Sequence, residues 1–160
     1  MPVNLLLFLG ALAGMEAVAY YTHKYVMHGF LWSLHESHHL PRRGLFEKND
    51  WFAVFFGVPS IVLMYLGRSD YGPLFWIGLG MAAYGLVYFT LHDVLVHRRI
   101  PHRFVPKRGY LRRVLQAHHM HHATKGKEGA VSFGFVYAPS IAKLKRERES
   151  TRAAGSQASS

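Results

Sequence analysis

Apolar residues in this chain are gathered into three long runs, and polar residues fill the stretches between them. Val3 to Tyr21 is almost continuously apolar, interrupted by Asn4 and Glu16. At a rise of about 1.5 Å per residue, a helical run of this length covers the ~30 Å hydrocarbon layer of a bilayer. No basic residue precedes the run and no small-residue cleavage region follows it. It therefore reads as a retained transmembrane helix and not as a signal peptide. Trp51 to Leu66 is a second run, with Pro59 inside it. It lies at the short end of the spanning range, where tilt or local thinning of the bilayer completes the fit. Leu74 to Leu91 is the third. The short polar turn from Arg68 to Pro73 makes the second and third runs an antiparallel helical hairpin. Trp51, Tyr65, Tyr71 and Trp76 fall near the ends of the runs, where aromatic belts sit. The expected spans are 3–21, 51–66 and 74–91.

Charge adds a direction to this pattern. The chain has 160 residues, enough for one domain, and combines 50% hydrophobic residues with a formal net charge of +10. Segments 22–50 and 92–160 share one side of a three-span protein. They carry four and fourteen of the 19 Lys and Arg residues, against one, Arg68, in the outer turn. By the positive-inside rule the basic side is cytoplasmic, which in a bacterium places the protein in the inner membrane. Most aromatics lie in the apolar runs, and no stacking platform accompanies the basic charge, so nucleic acid is not an expected partner. Residues 1–142 are expected to form the membrane domain. Residues 143–160 are expected to be a basic tail, a helix end followed by disorder. The apolar stretch Ala130 to Ala138 is too short to cross; it packs on the membrane surface or covers a site.

The composition has one outlier, 12 histidines in a chain without cysteine. Thiolate chemistry and disulfides are excluded, and imidazole is the commonest metal ligand. All 12 fall in the two basic segments. His23 and His28 have four residues between them, and so do His92 and His97. His35, His38 and His39 read H-x-x-H-H, and His118, His121 and His122 repeat that spacing in the same order. On a helix, positions i, i+3 and i+4 share a face, so two such units can meet across a metal pair. An i, i+5 pair is about 140° apart on a regular helix. It suits ligands flanking a cluster, or a helix that loosens beyond the membrane. Ten ligands are too many for one ion and enough for two. Imidazole suits zinc, copper, iron and nickel alike, so the ligand type does not name the metal.

Four further residues are candidates for supporting roles. Asp93, next to His92, could orient a ligand imidazole, and a solvated boundary residue fits it equally. Glu16 is an acid inside a membrane run, a functional candidate by default, and a hydrogen bond to a neighbouring helix serves it as well. His102 and His119 lie outside both spacings and read as bystanders, or as partners of a ligand. Glycines 78, 80 and 85 suit close helix packing or a slot between helices.

The order H-x4-H, H-x2-H-H, H-x4-H, H-x2-H-H resembles the fatty acid hydroxylase superfamily of membrane histidine-motif oxygenases. The stretches HESHHLPRRGLFEKND, HDVLVHRRIPHRF and AHHMHHATKGKEGAVSFGF are similar to its bacterial β-carotene 3-hydroxylase branch, over about Glu16 to Ala138. The resemblance implies an all-α integral membrane fold of three to four transmembrane helices with a cytoplasmic, helical, histidine-rich di-metal site. It implies two iron ions, non-haem, held by His23, His28, His35, His38, His39, His92, His97, His118, His121 and His122. It also implies O2 as co-substrate and electrons from a reduced ferredoxin. The implied substrate is a carotenoid hydroxylated at C3 of its β-ionone rings, β-carotene becoming zeaxanthin by way of β-cryptoxanthin. The histidine spacing alone is shared with fatty acid and sterol hydroxylases and desaturases. A non-catalytic membrane metal-binding protein is the alternative outside the enzymes. Transport is disfavoured, because transporters place their ligands near the midplane.

Overall fold

The computed structural model describes residues 2–41 and 44–158. Arg42 and Arg43, counted above on the basic side, lie outside the described residues, as do the last two positions of the expected tail. The described residues form helices and connecting loops. α1 (Pro2–Tyr21) continues into a π-helical segment, Thr22–Phe30, which is kinked at Gly29. α2 (Trp32–His35) tightens into a 3₁₀ turn at Glu36–His39. A 3₁₀ turn at Lys48–Asp50 leads into α3 (Trp51–Leu66). α4 (Pro73–Tyr88) also continues as a π-helical segment, Phe89–Val96. α5 is Gly109–His122 and α6 is Ile141–Ala158.

Three helical stretches are long and apolar enough to cross a membrane: Pro2–Phe30, Lys48–Leu66 and Pro73–Val96. Their outer faces are what lipid requires. Leu6, Val58, Ile61 and Leu86 are all more than half exposed, which water would penalise and hydrocarbon would not. The first stretch has 29 residues, about 40 Å of helix, so it outruns the ~30 Å hydrocarbon layer and carries its histidines beyond it.

α4 packs against both α1 and α3, and glycine makes both contacts close. A Cβ on Gly80 would stand 2.6 Å from the Phe8 carbonyl oxygen of α1; one on Gly78 would stand 2.7 Å from the Ser60 carbonyl oxygen of α3. The Ser60 hydroxyl in turn donates to the Gly78 carbonyl at 2.8 Å, a polar tie between helices of the kind hydrocarbon favours. Gly85 is different. A Cβ there would meet nothing within 4 Å, and the residue lines a cavity instead. Two of the three glycines thus serve packing and one serves the slot.

That cavity has a volume of about 340 Å³ and lies between α1, α3 and α4. Met15, Phe56, Met81 and Tyr84 are among its walls, and Asn49, Asp93 and Phe135 mark its inner end. Ala53, Ile61, Gly85 and Phe89 line it while also being exposed on the lipid-facing surface.

Beyond the membrane stretches, α5 packs on the π-helical end of α4, and α6 packs on α5. Val114, Ala117, Val131, Ala138 and Leu144 form a small core there. α6 is helical from Ile141, and Leu144 is fully buried in this core. Ile141 and Leu144, three residues apart and on one face, anchor the helix there.

A candidate metal centre at one end of the bundle

The π-helical ends of α1 and α4 resolve the H-x4-H spacing. In such a segment the amide of residue i+5 bonds back to the carbonyl of residue i. The His97 amide does this to the His92 carbonyl, at 2.9 Å. Residues five apart then sit nearly in line, so His92 and His97 point the same way, with ring centroids 4.5 Å apart. His23 and His28 are placed likewise, at 5.3 Å. The helix loosens once it has left the membrane run, and the loosening aligns the ligands.

The ten histidines of the duplicated spacings form two groups of five that could each hold a metal ion. One is His23, His28, His35, His39 and His121. The other is His38, His92, His97, His118 and His122. Within each group, one nitrogen per ring lies within 4.8 Å of all the others. The H-x-x-H-H units do not each serve one ion. In both, the i and i+4 rings share a group, while the i+3 ring (His38 or His121) crosses to the other. On a helix of 3.6 residues per turn, i+3 and i+4 lie about 100° apart around the axis, and the two groups use that divergence. Each unit thereby laces the groups together.

The orientation of the rings is fixed from outside. The His23 Nδ1–H donates to the Phe133 carbonyl (2.9 Å), His28 to Lys127 (2.8 Å), His39 to Thr124 (2.8 Å) and His121 to Val131 (3.0 Å). His35 donates to Asn49 Oδ1 (2.7 Å), His38 to Glu47 Oε2 (3.1 Å) and His92 to Asp93 Oδ1 (2.8 Å). Carbonyls and carboxylates only accept, so each ring proton sits on Nδ1 and each Nε2 presents a lone pair inward. Those Nε2 atoms face one another. His23 and His35 are 3.1 Å apart, His28 and His121 3.1 Å, and His38 and His92 3.0 Å. In each of these pairs no proton is left to lie between the two nitrogens. The His122 Nε2 is buried with no hydrogen-bonding partner.

Opposed lone pairs at such distances call for a cation. With metal–nitrogen bonds of about 2.0–2.1 Å, two imidazole nitrogens at right angles around one ion stand about 3 Å apart, which is the spacing found. Burial also keeps these rings neutral, as metal binding requires. It pushes His38, His118 and His121 well below 6.5, and it brings His35 to about 3, His39 to about 4 and His122 to about 2. Neighbouring imidazoles reinforce the effect, and for His35 and His39 the outer hydrogen bonds partly oppose it. The donor set fits two imidazole-bound ions.

The four supporting candidates are distributed unequally. Asp93 holds His92. Glu16 reaches no histidine. Its carboxylate accepts the backbone amides of Phe135, Val136 and Tyr137 at 2.8–3.1 Å and the Tyr84 hydroxyl at 2.6 Å. His102 lies outside both groups and bonds to the Val94 carbonyl at 2.8 Å. His119 is exposed on α5.

Several residues that shape the site were not singled out from the sequence. Glu47, Asn49 and Asp50 cluster at the 3₁₀ turn before α3. Arg99 binds Asp50 and stands 3.9 Å from both Glu47 and Asp93. Polar residues gathered just before an apolar run were the available signal. Phe135 stacks on His23 (5.0 Å, 9°) and Tyr88 on His92 (4.5 Å, 26°), while the two aromatics meet edge-on at 4.7 Å. Both also line the cavity, so they partition it from the imidazoles. The stretch Ala130 to Ala138 covers the site: Val131 and Phe133 supply carbonyls to it, and Phe135 supplies a ring.

Fold and site together define a membrane protein whose apolar helices carry, at one end, two all-histidine groups that could each hold a metal ion. The chain matches the model of the fatty acid hydroxylase family over residues 8–140 and belongs to that family. It is 55% identical to a β-carotene hydroxylase of Pantoea ananas over 153 residues, covering 94% of this chain and 87% of that one. It is 52% identical to a β-carotene hydroxylase of Pseudescherichia vulneris, covering 92% and 86%. Similarity extends to a chloroplastic β-carotene 3-hydroxylase of Arabidopsis thaliana, at 42% identity over 83% of this chain and 45% of that one. No solved structure matches it.

Proposed function

We propose that this protein is a carotenoid hydroxylase that adds a hydroxyl at C3 of β-ionone rings, taking β-carotene to zeaxanthin through β-cryptoxanthin. The observation that carries the reading is the adjacency of an apolar, lipid-side cavity to two groups of five inward-facing imidazoles, in a chain whose relatives bear the name β-carotene hydroxylase. The ten histidines would hold two iron ions. Supplied with O2 and with electrons from a reduced ferredoxin, that centre provides the oxidising power that an unactivated C–H bond needs and that no side chain offers.

The rest is the work of the chain. The apolar walls between α1, α3 and α4 bind one ring end, while the remainder of the polyene stays in lipid. Tyr88 and Phe135 set how closely the ring approaches the imidazoles. The covering loop and α6 keep water from the His23 group. The basic face, which would be cytoplasmic and which in a bacterium would lie on the inner side of the inner membrane, offers an acidic electron carrier a docking surface.

The test is to express the full chain in cells that accumulate β-carotene and to analyse the pigment. Zeaxanthin is expected from the wild type and not from His121→Ala, whose ring is fully buried in the His23 group. Unchanged β-carotene from folded, iron-loaded protein would overturn the substrate assignment. Hydroxylated lipid in its place would favour a fatty acid or sterol substrate.

A further inference from the structure

The two groups offer equal numbers of imidazoles but unequal surroundings. Around the His23 group, all five outer ring protons go to neutral acceptors. Four are main-chain carbonyls between Thr124 and Phe133, and the fifth is the Asn49 amide oxygen. Around the His38 group, two go to carboxylates, Glu47 on His38 and Asp93 on His92. Both carboxylates are shielded, with side-chain exposures of 8% and 13%. Asp50 stands with them, its carboxylate accepting the Glu47 amide at 2.9 Å. Arg99 gathers all three, so the corner holds three carboxylates against one guanidinium. Among the described residues, none of the five rings of the His23 group donates to a carboxylate.

An imidazole that donates to a carboxylate is a stronger base towards a metal than one that donates to a carbonyl, because the carboxylate stabilises the positive charge that the ring takes on. Low local dielectric makes the difference larger than it would be in water. Resting on the metal-centre reading above, we propose that the two ion sites are unequal: the His38 group is the tighter site and fills first, with Glu47 and Asp93 as the positioning residues that make it so. Arg99 acts one step further out. It holds Glu47 and Asp93 together through contacts that no ligand makes.

Calorimetric titration of the metal-free, full-length chain in detergent with Co(II) tests this. Two resolved binding steps are expected. Glu47→Gln and Asp93→Asn should each weaken the first step by about 10–100-fold, the usual effect of removing such a partner, and leave the second step near its wild-type value. Asn49→Asp places a carboxylate behind His35 and should strengthen the second step. A gain of affinity is an effect that loss of packing cannot mimic. Two indistinguishable steps in the wild type would overturn the proposal, as would an unchanged first step in Glu47→Gln. A wild-type chain that binds no Co(II) at all would overturn the metal-centre reading itself, a result separable from equal binding at two sites.

Discussion

Glu16 shows how much one side chain organises here. It sits inside the apolar length of α1, yet its carboxylate gathers three consecutive amides of the covering loop and the Tyr84 hydroxyl of α4. Those amides belong to a loop turn with no helix or strand to satisfy them, and an unmet amide at such depth is costly. Gly134 permits the approach, since a Cβ there would lie 2.8 Å from Glu16 Oε1. Hydrogen bonds to a charged acceptor contribute about 1.5–3 kcal/mol each. Glu16→Gln should therefore lower stability by about 2–3 kcal/mol, read as a lower thermal midpoint in detergent. It should also loosen the loop that feeds carbonyls to His23 and His121, and hydrogen exchange should rise over 130–138. Unchanged exchange there would contradict the role. The sequence marked Glu16 as anomalous but could not say what it held, because its partners are backbone amides about 120 residues away.

At the scale of elements, the three apolar runs appear as α1, α3 and α4, and their hairpin follows from the short Arg68 to Pro73 turn. Length and apolarity are local properties, so they were legible. The π-helical ends were legible only in part. A four-residue gap between histidines is irregular for an α-helix, and loosening was one of two ways to accommodate it. The 3.6-residue period also could not show that His38 and His121 cross between groups, since that depends on how the two groups pack together and not on one helix. Glycine positions gave a stripe, and contacts divide it. Gly80→Ala forces α1 and α4 apart and should lower the thermal midpoint. Gly85→Ala should leave stability near wild type while reducing turnover, because its methyl enters the cavity. Comparing melting and product formation for the two variants checks this; equal destabilisation would contradict the division.

For the whole molecule, what matters is that both H-x4-H pairs lie at the same end of the bundle. α1 and α4 run in the same direction, and each ends in a π-helical segment that delivers two ligands. The chain between α1 and α3 brings three more, and α5 brings the last three. The common end of the histidines was legible from the apolar runs, whereas the carboxylate corner and the loop carbonyls were not, because acceptors carry no spacing signature. The most direct measurement is the metal content of the purified full-length protein after loading with iron under reducing conditions. Two ions per chain are expected, falling when His121→Ala opens the shared boundary. One ion per chain, or none, in folded wild-type protein would contradict the two five-imidazole centres on which the account rests.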